Sequence, residues 1–573
     1  MPLSLREGRP EGWVVGKIGV MGPGIVGMPM AALLARARVC EGTDEPAKVL
    51  VVQRDSPTSG WKVRAINEGR SPIGGVEPDL DAVVAETSAA GLLRASHDAA
   101  DLADADVVLV CVQTDKRGVE PDYGPLTEAL EALAPALARR PPGNLPLVVF
   151  ESTLAPSSMA TVVRDLFRRH GLEEGRDVLL GNSPNRVMPG RLVERVATSD
   201  KLVAGLHPAT PGLIARLYSR IVVRGALHCT SSLTAEVVKT LENAYRDVRI
   251  AYAAEIVRWC DGRDIDFFAL RDRVNEAIAQ TDASSSDPLA VPTGGLLVPT
   301  VGVGGHCLPK DGVLLWWRRI EARDAAASRS LILASRDVND ASPAATIALA
   351  ERRLGPIGAG RTVALLGVAY RGDSEDTRNS PTLALAELLR ARGCEVRLHD
   401  PHVRPGDQNL VRRGFDAAFT RDLAPAVCDA DLLFVCAPHR AYVDGRDAVL
   451  AAARRVKGVV DACNLWPREA PAGPGVPACG IGRGRTPPAR EDVDFVVAGF
   501  RAVERGVARE VAETAAFLNE RYAKTAFERI DFATVRRLAA TCGTGCAIVE
   551  DLPPEPVAPL HGFLPRLVTL ASS

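Results

Sequence analysis

The residues with the most chemical content lie in Gly302-Val303-Gly304-Gly305-His306-Cys307-Leu308-Pro309-Lys310-Asp311. A thiol becomes an effective nucleophile as the thiolate, which nearby cations and positioned donors favour. The glycines Gly302, Gly304 and Gly305 let backbone approach a ligand with no Cβ in the way. Lys310 and Asp311 follow Cys307 by three and four positions, a cation and a carboxylate within reach of the same turn. A second pair is Lys239 and Asn243, four apart in a helically patterned segment and so on one face. Such a pair can hold a developing oxyanion, one by charge and one by amide N–H. Each feature has a plain structural alternative: a tight turn around a buried cysteine, a solvated lysine, a helix-surface asparagine. Together they point to covalent redox chemistry at a thiol.

The elements that must position these groups begin near the start of the chain. Lys17–Met21 reads as a buried strand, residues 28–37 as a helix, and Gly22-Pro23-Gly24-Ile25-Val26-Gly27 joins them. In that setting G-x-G-x-x-G is a dinucleotide-binding turn. The first glycine makes the turn, the second admits a pyrophosphate, and the third lets helix and strand pack closely. Unpaired N–H groups at the helix start face the phosphates. Gly22, Gly24, Ile25, Val26 and Gly27 are therefore the expected cofactor contacts. The second strand, Val49–Val52, runs into Gln53-Arg54-Asp55-Ser56. Asp55 suits a ribose 2′-hydroxyl and Arg54 a 2′-phosphate, which favours NAD and leaves NADP open. Further strands at 107–112 and 147–150 end in Gln113-Thr114 and Glu151-Ser152-Thr153. Ligands bind outside the carboxyl ends of such strands, so Thr114 and Thr153 are candidate contacts, with turn or N-cap hydroxyls as the alternative. An irregular turn follows at 182–190.

A long helix is expected from about 232 to 259. A second α/β unit then starts near Arg361, with strands at 362–366, 395–399, 432–435 and 459–461 alternating with helices. It lacks a second full glycine fingerprint. Residues 494–522 carry apolar positions at helical spacing, an amphipathic helix. Cys542-Gly543-Thr544-Gly545-Cys546 has no second pair nearby to complete a zinc set, and no metal site is expected. The fold class is thus α/β. Two Rossmann-like, doubly wound parallel-sheet domains (13–225 and 350–485) are joined by a central helical segment (226–345), and a C-terminal extension follows (486–573). Over 573 residues the net charge is −2, which gives no reason to expect nucleic acid or a membrane surface as partner. Twelve scattered cysteines suggest reduced thiols in a cytoplasmic protein. No apolar run reaches the roughly 18 residues of a membrane span.

The motifs fall in an order that resembles the UDP-glucose/GDP-mannose dehydrogenase family over roughly residues 15 to 485. The resemblance rests on Gly22-x-Gly24-x-x-Gly27, Asn67-Glu68-Gly69 with Glu77-Pro78, Glu151-Ser152-Thr153, Lys239-x-x-x-Asn243, Gly304-Gly305-His306-Cys307 to Asp311, and Asp376-Thr377-Arg378-Asn379-Ser380-Pro381. The wording around Glu242-Asn243-Ala244-Tyr245-Arg246-Asp247 looks most like the branch acting on UDP-N-acetylmannosamine or UDP-N-acetylglucosamine. The resemblance implies a four-electron oxidation of a sugar 6-hydroxyl to a carboxylate with two NAD per turnover, through a thiohemiacetal and a thioester on Cys307. It implies that Lys239 and Asn243 stabilise oxyanions, that Asp311 handles protons, and that Thr153 helps position water and cofactor. Lys310 would face the cofactor phosphates, and Arg378 is also placed at the cofactor. Asn185, Arg186, Gly302, Gly304 and Arg371 join Lys239 and Asn243 around the UDP-sugar. The usual setting is polysaccharide precursor supply by a homodimer.

Two departures from the family pattern carry consequences. The family turn reads Ser/Ala-Pro-Glu-Arg, and its Glu orders or activates the water that releases the thioester; here Asn185 stands there. An amide can hold a water but cannot take its proton. Arg371 stands where Lys is usual, which keeps the charge and changes the donor geometry. The first departure raises two alternatives: a two-electron dehydrogenase that stops at the aldehyde, and a nucleotide-sugar-binding paralogue with weakened chemistry.

Overall fold

The computed structural model describes residues 5–6, 9–10, 14–38, 46–75, 77–140, 145–187, 189–283, 294–468, 475–542 and 557–572. Cys546, Met188 and most of the first twelve residues lie outside these ranges. The chain packs into two compact units, each assembled from separated stretches: Met1–Glu242 with Val313–Asp324 and Ala512–Cys546, and Asn243–Gly312 with Ala325–Val511 and Ala547–Ser573. Three helices, Ser232–Arg263, Leu308–Glu321 and Arg490–Tyr522, contribute residues to both. The extension expected at 486–573 is likewise shared between them.

The first unit is built on an eight-stranded sheet. In spatial order its strands are Leu227–Ser231, Lys201–Gly205, Leu179–Asn182, Leu147–Phe150, Val107–Val110, Lys17–Met21, Lys48–Val52 and Leu93–Ser96. All neighbours run parallel except Leu179–Asn182 against Lys201–Gly205, which is antiparallel. The central strands Val107–Val110 and Leu147–Phe150 are buried throughout, as strands covered on both faces must be. One core lies among Ile18, Val20, Met30 and Leu34, a second among Val108, Phe150, Leu130 and Phe167. Full burial of each such side chain is worth about 1.5–3 kcal/mol. From Lys17–Met21 the chain first builds one side of the sheet, then returns to place Val107–Val110 on the other. This reversal opens a crevice beyond Met21 and Val110, where a doubly wound sheet takes its ligand.

The second unit holds six parallel strands in the order Phe419–Thr420, Glu395–His399, Thr362–Leu366, Leu432–Val435, Gly458–Asp461 and Ala478–Gly480. Its helical part includes residues 243–263 of the long central helix, Phe267–Ala283, Leu331–Asp340 and Ser342–Leu354. Buried polar pairs hold the long central helix to its neighbours: Tyr245 donates to Glu504 on Arg490–Tyr522, and Asp247 accepts from Arg336 (2.5 Å) and Asn339 (2.8 Å). The C-terminal helix is longer than its apolar pattern suggested, Arg490–Tyr522. Among the described residues no helix is long and apolar enough to cross a membrane, and no disulfide joins the described cysteines.

Candidate active site

The glycine turn of the first unit has the geometry its spacing demands. Gly22 adopts φ +91°, open to glycine at no cost, and a Cβ there would lie 3.0 Å from the Cys111 carbonyl oxygen. A Cβ on Gly27 would lie 2.1 Å from the Gly22 carbonyl oxygen, so only glycine lets the helix start this close to the turn. Gly24 differs: no protein atom lies within 4 Å of its missing Cβ. The space it leaves is a cradle for a ligand, and the helix Gly27–Ala37 begins with no side chain capping its N–H groups. These residues fit the pyrophosphate of a dinucleotide. Ile25 and Val26 complete the turn. Arg54 projects into solvent and pairs with Glu128 at 2.6 Å, while Asp55 is exposed beside it.

The strand ends beside this crevice are tied to one another. Thr114 is buried and donates to the Thr153 carbonyl at 2.7 Å. Glu151, at the carboxyl end of its strand, accepts from Lys201 Nζ (2.6 Å) and Tyr218. Lys201 also donates to the Ser183 carbonyl (3.1 Å), and the Asn185 N–H donates to the Glu151 carbonyl (3.2 Å). Glu151 thereby fixes the turn that carries Asn185 and Arg186. The far end of that turn is held by Glu77, which accepts from the N–H groups of Gly190 and Leu192. The Asn185 side-chain carbonyl is taken by the Val187 N–H at 2.7 Å.

The Arg186 side chain is 5% exposed, and both of its terminal nitrogens are engaged. Its guanidinium pairs with Glu242 and donates to Thr541 Oγ1 (2.9 Å) and the Leu538 carbonyl (3.1 Å). Burial pushes the Glu242 carboxyl up; Arg186 draws it back, with a smaller pull from Lys239. Lys239 is buried three positions earlier on the same helix. One turn before it, Glu236 accepts from the N–H groups of Ser157 and Met159, both at 2.8 Å, and burial pushes its carboxyl up to about 8. Glu236 thus anchors the segment that follows Thr153.

In the second unit the cysteine loop is shaped by two neighbouring side chains. Cys307 is exposed and immediately precedes the helix Leu308–Glu321; its carbonyl accepts from the N–H groups of Lys310 (3.1 Å) and Asp311 (3.0 Å). A Cβ on Gly304 would sit 2.4 Å from Tyr370 Cβ, and one on Gly305, at φ +86°, would sit 2.9 Å from the Tyr370 ring. A Cβ on Gly302 would meet Pro381 at 2.8 Å. The loop is also pinned by hydrogen bonds: Gly305 N–H donates to the Arg378 carbonyl (2.8 Å), and Asn379 Nδ2 donates to the Gly305 carbonyl (2.9 Å). Burial works against the Arg378 charge, but the two-pronged contact with Asp376 outweighs it and holds the guanidinium above its ordinary value. Arg371 is half-buried, its charge felt at Tyr370.

One turn into the helix, Asp311 is fully buried and accepts from Asn243 Nδ2 at 2.6 Å. Its other oxygen lies 3.1 Å from Lys310 Nζ, an ion pair without hydrogen-bond alignment. Asn243 Nδ2 keeps a second N–H after serving Asp311. The second unit therefore gathers Cys307, Asn243, Lys310 and Asp311 with Arg378 at the loop. The first gathers the glycine turn, Thr114, Thr153, Asn185, Arg186 and Lys239. Sequence reasoning missed Tyr370, Glu236 and Glu77 as side chains that shape these groups. Only the bare glycines of the cysteine loop signalled that something large presses on them.

Comparison with known proteins agrees along the chain. Residues 16–222 match the NAD binding domain of the UDP-glucose/GDP-mannose dehydrogenase family, residues 233–341 its central domain and residues 364–468 its UDP binding domain. The chain is 31% identical over 473 residues to the UDP-N-acetyl-D-mannosamine dehydrogenase of Pyrococcus horikoshii, covering 82% of this chain and 99% of that one. It is 29% identical over 442 residues to an NDP-N-acetyl-D-galactosaminuronic acid dehydrogenase of Ralstonia solanacearum, covering 74% and 91%. The solved NDP-N-acetyl-D-galactosaminuronic acid dehydrogenase of Methanosarcina mazei Go1 superposes with a TM-score of 0.66 at 30% identity, covering 83% of this chain and 96% of that one. With its glycine turn, its cysteine loop and all three domains in register, this NAD-dependent oxidoreductase belongs to the UDP-glucose/GDP-mannose dehydrogenase family.

Proposed function

We propose that this enzyme oxidises the 6-hydroxyl of a UDP-N-acetylhexosamine to the uronate through a covalent Cys307 intermediate. NAD, held at Gly22–Gly27, supplies the hydride acceptor for both oxidations. In the first, the alcohol loses a hydride and a proton, and Asp311 takes the proton on the oxygen that has no hydrogen-bond donor. The Cys307 thiolate then adds to the aldehyde carbon, forming a C–S bond and a thiohemiacetal oxyanion. Lys239 and the free N–H of Asn243 stabilise that charge. A second hydride loss gives the thioester, and water adds, breaks the C–S bond and returns the thiol. Arg371 and Arg378 suit the diphosphate of the substrate. The observation that carries this reading is an exposed cysteine in a glycine loop, with the Asp311–Asn243–Lys310 cluster one helical turn on.

The test is stoichiometry: purified enzyme with UDP-N-acetylmannosamine and NAD yields two NADH per sugar and a product heavier by one oxygen and lighter by two hydrogens. One NADH per sugar, or equal turnover in Cys307→Ala, removes the covalent route. A second reading is favoured by Asn185. Its carbonyl is spent on the Val187 N–H, and an amide cannot accept the proton of an attacking water. On this reading release of the acyl group is slow, and Asn185→Glu raises kcat; a normal rate of uronate release with no gain in that variant removes it.

A further inference from the structure

A second cluster of chemically capable side chains lies in the second unit, and the proposed reaction makes no use of it. It stands at the carboxyl ends of three neighbouring parallel strands, Thr362–Leu366, Glu395–His399 and Leu432–Val435. At its base is Asp400, fully buried, which accepts from the N–H groups of Val368 (2.8 Å), Ala369 (2.9 Å), His402 (2.9 Å) and Val403 (3.1 Å). His439 Nε2 makes its fifth contact at 3.0 Å. A carboxylate surrounded by backbone donors is an acceptor only, so the proton in that fifth bond sits on Nε2 and Nδ1 carries a lone pair. Burial works to raise the Asp400 carboxyl, and the His439 contact with the backbone N–H groups overcomes it, holding the group below its ordinary value.

Two more potential ligand atoms lie near that nitrogen. Asp373 Oδ1 is 3.9 Å from His439 Nδ1 and 3.5 Å from His402 Nε2, and the three atoms all lie within 4.8 Å of one another. Zinc bonds of about 2.0–2.1 Å in a tetrahedron imply ligand atoms about 3.3–3.4 Å apart. To bind, the two Asp373 contacts must shorten by about 0.1–0.6 Å, and the two histidine nitrogens, within 4.8 Å of each other, by up to about 1.5 Å. Metal-bound histidines give their other ring N–H to a carboxylate, the part Asp400 plays for His439. Two contacts compete. The Asp373 N–H donates to His439 Nδ1 (2.8 Å), and ligation exchanges that bond for a coordinate one. The Arg440 N–H donates to Asp373 Oδ1 (3.0 Å), which keeps a second lone pair. Asp373 also holds φ +53°, in the left-handed region.

We propose that Asp373, His402 and His439 form a divalent-cation site of the two-histidine, one-carboxylate type, with Zn2+ the best-fitting ion and a fourth position open to water or an anionic oxygen. The spacing hid it: Asp373 and His439 are 66 positions apart, on separate loops. The test uses the full-length enzyme after chelation, titrated with Zn2+ by calorimetry and with Co2+ by visible absorption. One equivalent binds, and X-ray absorption of the Zn2+ form reads nitrogen and oxygen neighbours without sulfur. His402→Ala and Asp373→Ala each abolish the Co2+ band, and Asp400→Asn raises the Kd about 10–100-fold. Absence of a stoichiometric ion in the wild type, sulfur in its first shell, or unchanged Kd in folded His402→Gln would each overturn the assignment. None of these readouts depends on turnover, so they stand apart from the proposed reaction.

Discussion

Gly304→Ala tests how tightly the reacting thiol is held. The added methyl would sit 2.4 Å from Tyr370 Cβ, and 3.0 Å from both the Tyr370 ring Cγ and Pro381 Cδ. Carbon atoms rest at about 3.5–4.0 Å, so the loop must shift by about 1 Å. It cannot do so freely, because Gly305 is hydrogen-bonded through both its N–H and its carbonyl to Arg378 and Asn379. Overpacking of this kind costs about 1–3 kcal/mol of stability. For catalysis a displacement of about 1 Å is worth about 100-fold in rate. The expected result is a kcat about 100-fold down, read as NADH absorbance, with a parallel change in Cys307 alkylation by iodoacetamide. The partner variants discriminate. Tyr370→Ala keeps Cβ and does not restore Gly304→Ala, whereas Tyr370→Gly does. For Gly305→Ala the clash is with the ring, at 2.9 and 3.1 Å, so Tyr370→Ala relieves it and leaves only the left-handed strain of about 1–2 kcal/mol. Wild-type rates in Gly304→Ala, or its rescue by Tyr370→Ala, would refute the reasoning.

Gly24→Ala adds a methyl where no protein atom lies within 4 Å, so the unfolding midpoint holds while the NAD Kd, measured by calorimetry, rises at least about tenfold; unchanged affinity contradicts the cradle. Glu236 is raised by burial from 4.5 to about 8, so its neutral form is the one favoured on folding. The stability it contributes is full below pH 4.5 and is lost as pH climbs towards 8, and Glu236→Gln flattens that slope in urea titrations between pH 5 and 8. An unchanged slope shows that Glu236 is ionised throughout. Thr541→Val removes one hydrogen bond from the buried Arg186 guanidinium and lowers unfolding free energy by about 1.5–3 kcal/mol; denaturant titration with no loss would show the contact is not made in solution.

The first sheet was legible where local signals agree. Lys17–Met21, the glycine turn and its helix follow from buried apolar runs and three glycines at fixed spacing, and Gly27 against the Gly22 carbonyl shows why the pattern is strict. Strands Lys201–Gly205 and Leu227–Ser231 were not anticipated. The second carries His228 and Thr230 half-buried and Cys229 exposed at the sheet edge, so it lacks the apolar run that marks an interior strand. The irregular turn at 182–190 was seen, but its reason lies in Glu151, Lys201 and Glu77, side chains distant in sequence. The same holds for Tyr370 under the cysteine loop and for Asp373 beside His439. Periodicity reports which face a residue shares with its near neighbours. It carries no information on which remote loop supplies the hydrogen bond.

The clamp on Arg186 also sets an order of events during synthesis. Its partners Thr541 and Leu538 lie 355 and 352 positions downstream. At translation speeds of roughly 5–20 residues per second, the ribosome delivers them roughly 20–70 s after Arg186 has emerged. Until then the nascent first unit holds the Arg186–Glu242 pair with two guanidinium donors unserved, and the segment Ala512–Cys546 that completes it is still untranslated. Protease pulses on stalled nascent chains check this: protection of the first unit arrives only once residue 541 clears the exit tunnel, and earlier protection rules it out. A late stretch of the chain acts as a closing latch, so the amino-terminal unit, begun first, is completed only after most of the second unit has been made.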